Sequence, residues 1–534
     1  MIPVIDFLVV GSGCTGSMAA QTLAEAGEKV LILDGGITGP DYESFQPRES
    51  FVRLRKTDPE QHRYLLGDNF ESLPGETMGT GAQLTPARNY LIQETKKYLP
   101  VSGDDFSAME SLAKGGLGAG WGTGCCVYSE EELVLCGLDP VKMQRAYQLI
   151  ADRIGISAAN DDARPFTAAY LSNTQPPLPD SPLANTLLNR YAKKKPALNS
   201  NGFFLGRPAL ALLTQSKNGR DPAGLRDMDF YDDFEKAAWR PQFTLDQLRK
   251  NTNVEYAGGF VVTNFMEEET QIRVNAIRIG DNARKSFYCR KLILAPGVLG
   301  TARIVLRSVQ VDKNVRLPLL CNPYTYMPCL VPSRLGKNFP DENNGFAQLS
   351  LFHNMAGDKT NIAMASLYNY RSLLLFRLMN ETPLNFRDGR IMLQYLLPAL
   401  MIAGIHHPEK YTAGQNLFLE ENQHSPTGDR LHVDYPNDRE ETHAREKMFA
   451  AAFRKLGAWP LKTVRPKTGA SIHYAGTLPF SENEKALALN LNGRLHGTKN
   501  VFVADGSGFS YLPAKGLTFS LMANAHLVAE AARK

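Results

Sequence analysis

The chain alternates between short, largely apolar runs and longer stretches in which apolar residues recur every three or four positions. Residues 5-IDFLVV-10 are such a run, apolar and β-branched as a strand buried on both faces requires. A glycine turn, a helical pattern and a second run, 30-VLILD-34, follow it. The strand-then-helix order returns at 291-KLILAPGVLGTARIVLRS-308, where a buried strand ends in Ala295-Pro296-Gly297 and a helix is expected to open at Thr301. It returns again at the end, where 500-NVFVAD-505 precedes a glycine-proline loop and a terminal helical pattern. Residues 243–265 read as a short helix and a strand with glycines, and 417-LFLEENQHSPTGDRLHVDY-435 alternates about Ser-Pro-Thr-Gly-Asp as a hairpin does. The most apolar stretch, 391-IMLQYLLPALMIAGI-405, is preceded by 373-LLLF-376 and is expected to form a buried helical pair. It is shorter than the ~18 apolar residues a spanning helix needs, and Pro398 interrupts it. A surface dipping into a membrane, or the wall of an apolar channel, stays open as its alternative.

At 534 residues the chain exceeds one simple core, so two structural units are expected. Proline-rich 174-TQPPLPDSP-182 reads as a surface connection, and no internal repeat is found. A hydrophobic fraction of 43% and a net charge of +4 suit an ordinary folded protein and give no reason to expect nucleic acid. None of the seven cysteines forms a C-x-x-C pair, and Cys125 and Cys126 are adjacent, which suits neither a disulfide ladder nor a zinc site. Reduced thiols and no metal are the expectation. The opening segment runs straight into a strand without a basic leader, so a cytoplasmic location is expected, with peripheral membrane contact left open.

Gly11-Ser12-Gly13-Cys14-Thr15-Gly16 matches G-x-G-x-x-G between a strand and a helix. Gly11 permits the tight turn, Gly13 lets backbone approach a pyrophosphate, and Gly16 lets the helix pack on the strand. Asp34 ends the second strand about 20 residues on, where a carboxylate accepts hydrogen bonds from ribose hydroxyls. Dinucleotide binding follows, and FAD and NAD remain equally open on these residues.

Further segments, in order, resemble the glucose-methanol-choline (GMC) family of FAD-dependent oxidoreductases: 114-KGGLGAGWGTG-124, 243–265, 291–308, 471-SIHYAGT-477 with its H-x-x-G-T, and 500-NVFVADGS-507. The resemblance covers most of the chain, with Ala302 where the family commonly has proline. It implies an α/β fold, α+β overall. A Rossmann-like FAD-binding domain would be assembled from residues 1–150, 236–310 and 465–534. A substrate domain with an antiparallel sheet and helices would take 151–235 and 311–464. Gly11, Ser12, Gly13, Thr15, Gly16 and Asp34 would bind the cofactor, with Gly116 and Trp121 along the flavin and Val261 beside the adenine. Ala295, Gly297, Asp505, Gly506 and Thr518 would complete that set.

The implied activity is oxidation of an alcohol, with hydride passing to flavin N5 while a base takes the hydroxyl proton. His473 is that base, alone among ten histidines in the H-x-x-G-T context. An unperturbed pKa of ~6.5 leaves much of it able to accept near neutral pH. His406 and His407 adjoin a proline turn, His424 and His432 sit in the hairpin, and His526 lies in the last helical pattern. The family pairs its histidine with a second His or Asn at the position held here by Gly516. The Gly516 N–H, the ammonium of Lys515 or a residue from the substrate domain would have to replace it. Gly120 stands where some sugar-oxidising relatives carry a flavin-linked histidine, which implies non-covalent FAD. The motifs resemble bacterial members acting on sugars and aminoglycoside precursors, which implies a polyhydroxylated or sugar-like substrate. A more hydrophobic or lipid-linked alcohol, a flavin-containing lyase of the hydroxynitrile type, and a flavin-bound protein without turnover are the alternatives. No motif encodes the electron acceptor, oxygen or a dye or carrier, or the oligomeric state.

Overall fold

The computed structural model describes residues 5–39, 49–65, 68, 86–227, 234–309, 315–338, 340–354, 357–369, 383–436 and 440–534. Strand Ile5–Val10 lies between two parallel neighbours, Val30–Leu33 and the last residues of Arg284–Leu294, with Phe7 opposite both Val30 and Lys291. Phe7 to Val10 are buried on both faces, as their apolar run demands. Val254–Ala257 extends one edge of this sheet, and the antiparallel strands Ile272–Arg278 and Phe260–Glu267 extend the other. The eleven-residue strand 284–294 divides its partners: its first half pairs with 272–277, and Leu292–Leu294 pair in parallel with Val501–Val503. Both ends of the chain therefore build one sheet.

Helices cover both faces. Cys14–Glu25, Pro140–Ile154 and Thr518–Arg533 bury Met18, Leu23, Ile150, Met522 and Val528 in one core. Val298–Ser308 packs with Leu8, Val10 and Leu292 in the other. The helix 298–308 opens three residues earlier than the sequence suggested. Gly297 caps it at φ +89°, a left-handed conformation that glycine adopts without strain.

A second, fully antiparallel sheet of six strands runs in the order Trp459–Pro460, Tyr324–Leu330, Leu400–His406, Ile362–Asn369, Leu349–Asn354, Phe203–Gly206. Its alternation sorts the faces. Leu349, Leu351, Ala363, Ala365, Met401 and Ala403 pack under helices Pro182–Asn199 and Glu440–Lys455. Residues one step out of phase, Ser350, Met364, Ser366 and His406, face a cavity. The expected hairpin is present as Asn416–Glu421 and Asp429–Asp434. The mixed α/β architecture expected from the sequence is the one found.

The stretch 391–405 is not a helical pair. Phe386–Leu396 is helical, residues 397–399 make one tight turn, and Leu400–His406 is a central strand. Pro398 lacks the N–H that would continue the helix, and the β-branched residues beyond it suit the sheet. The helix itself is not buried throughout, since Ile391 is 55% and Tyr395 57% exposed. Residues 373–376 lie outside the described residues. Among those described, no helix is long and apolar enough to cross a membrane.

Candidate active site

The parallel strands 5–10, 30–33 and 501–503, with 284–294, all end at one cavity of about 460 Å³ between the two sheets. Three helices begin there, after Gly13, Gly297 and Leu517, and none is capped by the side chain of the residue that precedes it. Uncapped helix starts carry unpaired donors and partial positive charge, so three converging on one space favour an anion strongly.

The first turn is held by backbone that tolerates no added carbon. A Cβ on Gly11, at φ +92°, would stand 2.6 Å from the Ala295 carbonyl oxygen, and one on Gly16 only 1.9 Å from that of Gly11. Gly16 is thus a packing residue and does not line the cavity. Gly11, Ser12, Gly13 and Thr15 do. The Ser12 hydroxyl donates to Asp34 Oδ2 at 2.6 Å and accepts from the Gly115 N–H at 2.8 Å, joining the first turn to the second glycine loop. Tyr256 and the Gly36 N–H also donate to Oδ2. Among the described residues Oδ1 receives only the Ser12 N–H, at 3.2 Å, and it retains accepting capacity at the cavity wall.

The loop around Gly116 and Trp121 folds as a 3₁₀ turn over Gly116–Gly120. Two wholly buried arginines, unmarked in the sequence, fix it: Arg88 donates to the Ala119 carbonyl at 2.8 Å and Arg240 to that of Trp121 at 2.5 Å. The Trp121 indole donates to the Trp239 carbonyl and its ring meets that of Trp239 edge-on. Val261, Ala295, Gly297, Gly506 and Thr518 line the same space. Asp505 does too, but its carboxylate is engaged by Thr301 and by both the N–H and the hydroxyl of Ser507, tying the tail to helix 298–308.

His473 lines the cavity from a segment whose preceding residue, Ile472, has φ +60°. A β-branched residue there is strained, and such strain persists only where the surroundings impose it. The short pairing of Leu320–Cys321 with Tyr474–Ala475 brings Asn322 against the imidazole. Asn322 Oδ1 lies 2.9 Å from His473 Nδ1, while its Nδ2 donates among three carbonyl oxygens, those of His407, Leu512 and Pro513. Only the amide nitrogen suits three acceptors, so the oxygen faces the histidine and Nδ1 must carry the proton. Nε2 is then the free base. Burial lowers the His473 pKa from 6.5 to about 4, so the ring is neutral at physiological pH.

The replacements considered for position 516 resolve differently. Gly516 lines the cavity without a side chain, near the Cys126 thiol, which burial pushes up to about 11. Lys515 is turned away from the cavity: its ammonium donates to Glu132 Oε2 at 2.7 Å and to the Val127 carbonyl at 3.1 Å, with side chains 1% and 0% exposed. His406, which the sequence marks only as the neighbour of a proline turn, ends its strand in the cavity with its ring stacked on that of His473, centroids 4.8 Å apart. Neither Asn322 nor His406 carries a local signal, because each acquires meaning only through a partner far along the chain.

The family model described as GMC oxidoreductase matches residues 419–525. No curated protein matches the chain in sequence. Among solved structures, pyridoxine 4-oxidase from Mesorbium loti shares the fold over 98% of both chains, with a TM-score of 0.56 and 14% identity. The C-terminal segment matched by that family model supplies His473, Asp505 and the start of the last helix to this cavity, so the chain is similar to the GMC oxidoreductases in the part that carries these residues.

Proposed function

We propose that the chain oxidises an alcohol carbon to a carbonyl, with His473 as the base and a polyhydroxylated, sugar-like molecule as substrate. When bound, FAD supplies the ring that takes the hydride from the C–H bond. The uncapped helix starts after Gly13, Gly297 and Leu517 would hold its pyrophosphate, and Asp34 Oδ1 a ribose hydroxyl. The loop 116–121 and Val261 would lie along its rings. Gly120 carries no side chain to attach it, and a Cβ there would stand 2.6 Å from Leu91 Cδ1, which supports dissociable FAD. Acid precipitation tests this, because colour retained in the pellet means a covalent link.

The observation that carries the base assignment is the Asn322–His473 hydrogen bond with its three-carbonyl anchor. It fixes the tautomer, so Nε2 accepts the hydroxyl proton as the C–H hydride leaves and the C=O bond forms. Burial keeps the imidazole uncharged and ready to accept. Anaerobic mixing with alcohols tests the reading: the substrate should bleach the flavin absorbance, and His473→Ala should abolish the bleaching. Turnover without bleaching would favour a lyase and sink the proposal.

The division into a cofactor unit (1–150, 236–310, 465–534) and a substrate unit (151–235, 311–464) belongs to the same reading. It is supported by the strands, since all seven of the first sheet fall in the former and all six of the antiparallel sheet in the latter.

A further inference from the structure

We infer that His406, from the antiparallel sheet, binds the reacting oxygen of an uncharged hydroxylated substrate and so replaces the side chain missing at position 516. The inference rests on the oxidation reading above. Gly516 has no side chain and Lys515 is committed to Glu132, so neither position offers a side chain for that oxygen. His406 stacks on His473 at 4.8 Å and 19°, and Tyr324 lies behind it at 4.5 Å. Its register fixes that place: His406 is opposite Tyr324 on one side and Met364 on the other. Gly404, two residues back on the same face, makes room for Tyr324, whose hydroxyl lies 2.6 Å from where a Cβ would stand. Both His406 ring nitrogens are without a hydrogen-bond partner among the described residues, so an N–H is available to an oxygen gaining negative charge beside Nε2 of His473.

The same wall sets the substrate class. The sheet contributes Tyr324, Ser350, Met364, Ser366, Tyr368 and His406, none of them charged in place. Ser350 is fully buried, lines the cavity and has a hydroxyl without a partner among the described residues, a donor and acceptor left for a second substrate oxygen. The charged residues of the cavity are all engaged elsewhere: Glu110 with Arg303, Arg307 with Asp429, Asp34 with Ser12 and Tyr256, and Asp505 with Thr301 and Ser507. An ammonium or carboxylate on the substrate would lose its hydration and meet no counter-ion among the described residues. Uncharged hydroxyls and ring carbons meet hydroxyls and aromatic faces instead.

The test uses the FAD-loaded enzyme under anaerobic conditions with glycerol, myo-inositol and benzyl alcohol against glucosamine and gluconate. Neutral probes should bleach the flavin at least ~100-fold faster than charged ones. His406→Ala should slow bleaching by about 10²–10³-fold with FAD content and Tm unchanged, and His406→Asn should recover about tenfold of that. Bleaching of His406→Ala at the wild-type rate, or preference for glucosamine or gluconate, overturns the inference. If no probe bleaches the wild type, the oxidation reading fails, and imidazole ¹⁵N shifts on adding the same probes decide for His406 separately. A probe that moves both His473 and His406 supports the contact, and one that moves His473 alone refutes it.

Discussion

Replacing Lys515 by Met decides between two roles for the only lysine beside the vacant position 516. The Lys515 ammonium is 1% exposed and donates to Glu132 at 2.7 Å and Val127 at 3.1 Å. Glu132 Oε2 also accepts the Ser129 N–H at 2.8 Å and closes the capping box of helix Glu130–Leu135. Burial raises the Glu132 pKa while the Lys515 charge opposes the rise, so removing the lysine leaves a carboxylate with no countercharge in a dry interior. Breaking one side of such a pair costs about 3–5 kcal/mol, whereas replacing both partners by apolar groups is often close to neutral. Urea unfolding should therefore place Lys515→Met about 3–5 kcal/mol below wild type, with Lys515→Met/Glu132→Leu recovering most of the loss. Folded Lys515→Met enzyme should still reduce its flavin within a few-fold of wild type. A variant that keeps full stability but loses flavin reduction would show the ammonium acting on the substrate, and the structural assignment would be refuted.

Three other outcomes are expected. His473 takes up a proton near pH 6.5 when unfolded but only near 4 when folded, so its contribution to stability is full above ~7 and lost as pH falls through that window. The loss is on the order of 3 kcal/mol, read as the difference between the stability–pH curves of wild type and His473→Gln, and parallel curves would contradict it. Asn322→Leu frees the tautomer and removes the amide donor shared by three carbonyls, so flavin reduction should drop by roughly 10²-fold at unchanged FAD content; activity near wild type would remove Asn322 from the mechanism. Gly16→Ala sets a methyl 1.9 Å from a backbone oxygen that cannot yield, and should abolish FAD retention on gel filtration; a yellow variant would show that the turn can shift.

The sequence by itself determined what depends on neighbours in the chain. The run Ile5–Val10, the spacing of Gly11, Gly13 and Gly16 and the acid at Asp34 specify a strand, a turn and a helix. Those elements form as read because each is decided within about thirty residues. The hairpin at 416–434 is legible for the same reason. Where local signals conflicted, the reading failed: 391–405 is apolar enough for helix or strand, and pairing of Met401 to His406 with two other strands settles the matter. The tertiary structure alone decided which groups meet His473. Asn322 is 151 residues away and His406 lies on another sheet, and hydrogen bonds and ring stacking across such distances leave no periodicity to detect. It also decided against Lys515, whose charge, once buried, required a partner, and Glu132 was the carboxylate within reach.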